Sequence, residues 1–163
     1  MSLKTQNKSN MKNKWFLGEV SIGYRRTDID ESLVKTQIRS CEQAERFFRS
    51  ILPADVIEHH EEMWVVYMNY NNRPIGFMQS SKGNISGTVA DAKGIVQSAL
   101  MCNASGVMLM HNHPSGNKTP SDQDIKITRQ IKQALNLFDI KLVDHIILTL
   151  ESYTSMAEEG LMS

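Results

Sequence analysis

The chain has 163 residues, 40% of them hydrophobic, which is enough apolar material for one compact core in a single domain. Its 18 basic and 18 acidic residues cancel, so the molecule offers no broad field to attract a polyanion, and nucleic acid is not expected as its main partner. Cys41 and Cys102 form no CxxC pair, no apolar stretch approaches the roughly 20 residues of a membrane helix, and no signal-peptide core precedes Trp15; a reducing cytoplasm is the expected location.

Met1 to Lys14 carries Lys4, Lys8, Lys12 and Lys14 among Asn and Gln, with almost nothing to bury, and reads as a flexible basic tail. Trp15 to Tyr24 reads as a strand. A helix follows from about Cys41 to Leu52, opened by Ser40 with Gln43 at capping-box spacing, closed near Pro53, and burying Ala44, Phe47, Phe48 and Ile51. Met63 to Met68, apolar on both faces, suits a strand covered on both sides. The turn Asn71-Asn72-Arg73-Pro74 leads into a second strand, Ile75 to Gln79, so the two form a hairpin. Ala92 to Asn103 has a helical stripe at Ile95, Val96, Ala99, Leu100 and Cys102. Val107 to Met110 is a short buried strand, Ser121 to Phe138 an amphipathic helix, and Lys141 to Leu150 the last strong strand. This mixture predicts an α/β (α+β) sandwich, a mixed sheet flanked by helices.

The most informative segment runs from His111 to Asp124. His111 and His113 stand at i and i+2 on a strand end, where alternation sends both rings to one side. Pro114, Gly116 and Pro120 turn the chain, and Ser121 is a good N-cap, so Asp124 falls in the first helical turn and can reach back toward the histidines. Two imidazoles and one carboxylate suit zinc with a fourth position left open, the stoichiometry of a catalytic site. Such an ion lowers the pKa of its water to about 7 and needs a nearby carboxylate to shuttle the proton. Ser121-x-x-Asp124 is also capping-box spacing, which by itself stabilises a helix start with no metal, and Asp122 is a neighbouring alternative ligand.

The spacing His111-x-His113, seven residues, Ser121-x-x-Asp124 resembles the JAMM (JAB/MPN) metalloprotease pattern. His-Asn-His-Pro-Ser-Gly from His111, Leu142-Val143-Asp144-His145, and the stretch from Tyr153 to Leu161 are similar, more narrowly, to its RadC-like branch. The resemblance spans roughly Ser40 to Met162 and implies a single JAB/MPN (cytidine-deaminase-like) domain over residues 15–163. It further implies a zinc-dependent hydrolase of peptide or isopeptide bonds. His111, His113 and Asp124 would bind the ion, Ser121 would help stabilise the oxyanion, and an upstream glutamate would be the general acid/base. Glu58, Glu61 and Glu62 all precede the Met63 strand. The family pattern favours Glu61, and alternation places Glu61 and Glu62 on opposite faces, so only one can point at the metal.

Branch members have been labelled DNA-repair factors, and longer ones carry a helix-hairpin-helix region for which this chain is too short. A nuclease therefore stands as one rival reading and a non-catalytic MPN-type scaffold as another. His59 and His60 read as a solvated loop, Cys102 as a small buried hydrophobe, and Asp144-His145 either as a pair that orients a ligand or as core residues. Substrate and oligomeric state have no signature in the sequence.

Overall fold

The computed structural model describes residues 35, 37–52, 55–82 and 90–163. The basic tail, the Trp15 to Tyr24 strand and Pro53 lie outside them. The elements are α1 (Cys41–Ile51), β1 (Glu62–Met68), β2 (Pro74–Lys82), α2 (Ala92–Met101), β3 (Gly106–Asn112), α3 (Asp122–Asn136), β4 (Lys141–Leu148) and β5 (Tyr153–Ser155). They build one five-stranded mixed sheet, in the order β2-β1-β3-β4-β5. Only β3 and β4 run parallel, joined by the crossover helix α3; the other neighbours are antiparallel.

Every residue of β1 and of β3 is buried, as continuous apolar runs in central strands require. Alternation divides their side chains between two cores. Met63, Val65 and Tyr67 of β1 and Val107 and Leu109 of β3 pack with Ile95 and Ala99 of α2 and Ile131 and Leu135 of α3. Trp64, Val66, Met108 and Met110 pack on the other face with Ala44, Phe47 and Phe48 of α1. The result is a three-layer sandwich. Truncating a fully buried member such as Leu109 to Ala should destabilise it by about 2–5 kcal/mol.

Local chemistry sets the helix ends. In α1 the Ser40 hydroxyl accepts from the Gln43 amide, but the Gln43 side chain accepts from Arg39 N instead of closing the expected box on Ser40. Ile51, expected in the core, is only half-buried, because it falls at the frayed last position before Leu52 turns extended. Asp91 caps α2, and Ser121 with Asp124 forms a complete capping box on α3. Cys102 is half-buried, its thiol donating to Ser98 O. Among the described residues, no helix is long and apolar enough to cross a membrane.

One irregularity shapes the site. Val107 pairs with Leu142 but Met108 pairs with Asp144, so Val143 is an extra residue in β4. Leu142 faces the α2/α3 core, and uninterrupted alternation would send Asp144 there and His145 to the other side. The bulge inverts the phase and puts His145 and Ile147 on the α2/α3 face.

Candidate metal centre

The site lies where β3 ends and α3 begins. His111 shares the face of Leu109 and Val107, directed at α3, and His113 follows one residue beyond the strand, with its amide donating to Leu148 O of β4. The loop then turns through Gly116 at φ 76 and returns at Ser121. Asp124 therefore stands over the histidines from the first turn of α3.

One donor atom from each of His111, His113 and Asp124 lies within 4.8 Å of the others, the one such group found among the described residues. The two Nε2 atoms are 2.8 Å apart. Asp124 Oδ1 is 3.2 Å from His111 Nε2, and Oδ2 is 3.7 Å from His113 Nε2. His113 Nδ1 sits 2.6 Å from Asn117 O, a separation that needs a proton on the ring nitrogen; when the ring is neutral, its Nε2 faces the site as a bare acceptor. Nitrogen and carboxylate acceptors turned inward on one another need a proton or a cation among them. This donor set could hold a metal ion.

The electrostatics follow from the same crowding. With protons in place of an ion among these donors, burial by itself would still raise the Asp124 carboxyl, but hydrogen bonds from the rings of His111 and His113, the charge His111 would then carry and the Ser121 hydroxyl outweigh it and hold the group far below the usual carboxylate range. The hydrogen bond to Asp124 raises His113, helped by the Asn117 carbonyl and the charge of Glu61 and opposed by burial.

Asp124 forms the cap and is also placed for the ligand role that the sequence left open. Its Oδ2 accepts from Ser121 N at 2.7 Å and from the Ser121 hydroxyl at 2.6 Å, completing the cap, while the same carboxylate faces both histidines. The Ser121 hydroxyl is engaged by Asp124, so donation to an oxyanion requires it to rotate away. Asp122 is exposed, lines the adjoining cleft and is not among the converging donors.

Glu61 immediately precedes β1, in phase with Met63, which pairs with His111 across the β1–β3 ladder. It lines a cleft of about 480 Å³ together with Met63, His111, Asp124, Ile127 and Gln130. Glu62 points the other way. It is 2% exposed, with Oε2 accepting from Trp64 Nε1 at 2.9 Å and Oε1 2.7 Å from His60 Nε2. His60 is accordingly half-buried against Glu62, while His59 is exposed, so only part of that pair is the solvated loop expected.

Sequence reasoning passed over Asn112. Lying between the histidines on the opposite face, it is fully buried; Oδ1 accepts from Glu62 N at 2.8 Å and Nδ2 donates to Ile57 O at 3.0 Å and His60 O at 2.8 Å. It ties the segment bearing Glu61 to the strand bearing the histidines. Strand parity marks it only as a polar residue on a covered face; the distant carbonyls that satisfy it are not readable from its own segment. Alternation splits the Asp144-His145 pair, and the β4 bulge decides that it is His145 that faces the site. His145, fully buried, places Nε2 2.9 Å from His111 Nδ1; burial first, then the His111 charge, holds it well below its ordinary value. Asp144 faces away and accepts from His145 N, Ala157 N and the Ser155 hydroxyl.

The chain is similar in sequence to several known proteins. A UPF0758 protein of Flavobacterium johnsoniae is 43% identical over 102 residues, 63% of this chain and 44% of that protein. One of Coprothermobacter proteolyticus is 35% identical over 134 residues, 82% of this chain and 56% of that protein. The UPF0758 protein YfjY of Escherichia coli is 42% identical over 102 residues, 63% of this chain and 64% of that protein. The chain thus spans about half the length of the curated relatives it matches. The model of the RadC-like JAB domain matches residues 38–161, which include the sheet, the cleft and the His-His-Asp cluster, and the chain belongs to that family.

Proposed function

We propose that this chain is a zinc-dependent hydrolase that cleaves a peptide or isopeptide bond, with His111, His113 and Asp124 holding the ion and Glu61 moving the proton. The observation that carries the reading is the convergence of three metal-type donors, two of which, His111 and Asp124, line a cleft together with Glu61. The volume of that cleft lies within the range of small-ligand sites, and Met63, Ala90 and Ile127 give it an apolar lining beside the polar rim.

When bound, the ion supplies Lewis acidity and a water acidic enough to ionise near neutral pH. Glu61 accepts the proton of the attacking water and returns it to the departing amine, so one carboxylate serves as base and then as acid. Ser121 fixes Asp124 through the cap and, on rotating away from it, offers its hydroxyl to the developing oxyanion. Asn112 keeps the Glu61 segment in register with the histidines.

The test is a cleavage screen of the zinc-loaded protein against mixed peptide-linked and isopeptide-linked substrates. Expected is turnover that a chelator abolishes and added zinc restores. Full zinc occupancy without cleavage of any member would favour a scaffold instead.

A further inference from the structure

Behind His111 lies a line of hydrogen bonds with no metal-binding atom in it. Thr128 Oγ1 is 2.5 Å from the backbone carbonyl of Asp124, His145 Nδ1 is 2.6 Å from Thr128 Oγ1, and His111 Nδ1 is 2.9 Å from His145 Nε2. Thr128, His145 and His111 are all buried, so water does not interrupt the line.

Its polarity follows from proton counting. The Asp124 carbonyl can only accept, and two oxygens at 2.5 Å need a proton between them, so the Thr128 hydroxyl hydrogen is spent there. Thr128 Oγ1 then has only lone pairs for the His145 ring, and the short contact requires His145 to carry its proton on Nδ1. Among the described residues no carboxylate contacts the fully buried His145 ring, whose polar partners there are Thr128 and His111, so it is neutral and its Nε2 is an acceptor. His111 must therefore donate from Nδ1, which leaves its Nε2 bare and turned to Asp124 and His113.

We infer that Thr128 and His145 are positioning residues that lock His111 in the Nδ1–H tautomer, so that its Nε2 is presented ready to bind a metal ion. Asp124 closes the circuit: its backbone carbonyl sets the direction of the line and its side chain faces the nitrogen that the line exposes. The bulge at Val143 is what brings His145 to this face. The part that concerns metal affinity rests on the proposed zinc site, whereas the tautomer is a property of the metal-free chain.

The experiment therefore has two readouts. Long-range 1H–15N correlation spectra of the histidine rings, recorded metal-free at about pH 8 and again with zinc, assign the proton-bearing nitrogens. Expected are Nδ1–H in both His145 and His111, with His111 Nε2 the atom perturbed by zinc. Zinc affinity, from competition with a chromophoric chelator, is measured for the parent, His145→Leu, His145→Gln and Thr128→Val. The Leu variant removes the acceptor and should bind about 10- to 100-fold more weakly. The Gln variant can offer its Oε1 where Nε2 stood and should retain most of the affinity, and Thr128→Val should fall between them. A proton on Nε2 of His111 in the metal-free parent overturns the inference, as does equal affinity of the parent and the Leu variant. If the Leu variant does not fold, the parent spectra and Thr128→Val decide. Absence of zinc binding by the parent would count against the proposed function, and the metal-free spectra would still decide the tautomer.

Discussion

Glu61 and Glu62 are adjacent carboxylates with opposite surroundings, and exchanging them one at a time separates chemistry from stability. Glu61→Gln keeps size and shape at a half-buried position on the cleft rim but removes the base. Turnover should fall by at least about 10²-fold, the usual contribution of a positioned general base, or about 2.7 kcal/mol in barrier height. Zinc content and melting temperature should match the parent. Glu62→Leu keeps the volume but leaves the buried Trp64 indole N–H without its acceptor and takes away the His60 partner. Orphaning a buried donor costs about 1–3 kcal/mol. At roughly 2–4 °C per kcal/mol for a chain of this size, that lowers the melting point by about 2–12 °C. Turnover per folded molecule should stay within about tenfold, since Glu62 has no face on the cleft. Calorimetry, metal analysis and cleavage assays on both variants read all three quantities. An inactive Glu62→Leu beside an active Glu61→Gln would mean the phase at the start of β1 is wrong by one residue. Full activity in both would remove the general base from the mechanism.

Ser121→Ala removes the N-cap of α3 and one of the bonds fixing Asp124, so it should cost about 1 kcal/mol and weaken zinc binding about 10-fold; unchanged affinity would show that the cap does not orient the ligand. Burial raises the Asp144 carboxyl above its ordinary 3.8, against the bonds from Ser155, Ala157 and His145. The folded state thus holds that proton more tightly than the unfolded state, and the group's contribution to stability declines as pH rises from 3.8 through its folded value. Asp144→Asn removes the decline, so urea titrations should show the variant gaining on the parent as pH rises above 3.8; a difference that is flat or falls with pH contradicts this. Stripping the metal should leave the far-ultraviolet circular dichroism unchanged, because both cores form without the site residues. At an ion concentration of about 100 times Kd, it should cost about 2.7 kcal/mol. Complete unfolding on chelation would make the metal structural.

Much of this arrangement was legible from local pattern. Continuous apolar runs located β1 and β3, and helical stripes α1 and α3, to within a few residues, because the burial of each is written in its own side chains. His111 and His113 could be placed on one side of a strand end, and Asp124 in the first turn of α3, for the same local reason. Two features were not legible because they depend on pairing between distant segments. The bulge at Val143 arises only against β3, and without it alternation from Leu142 puts His145 on the wrong face. Asn112 is buried and polar only because the 55–60 turn supplies carbonyls for it to bind, and nothing in its own neighbourhood announces them. Cap and ligand need not compete at Asp124, since one carboxylate has enough lone pairs for both.

The central claim is that His111, His113 and Asp124 hold one ion together. Its most direct test is zinc stoichiometry of the parent, His113→Ala and Asp124→Ala after removal of metal and dialysis against a slight excess of zinc, with folding checked by calorimetry. A three-donor site predicts about one tightly held zinc per chain in the parent and loss of tight binding in both folded variants. No zinc above background in the parent, or undiminished zinc in either variant, would contradict it.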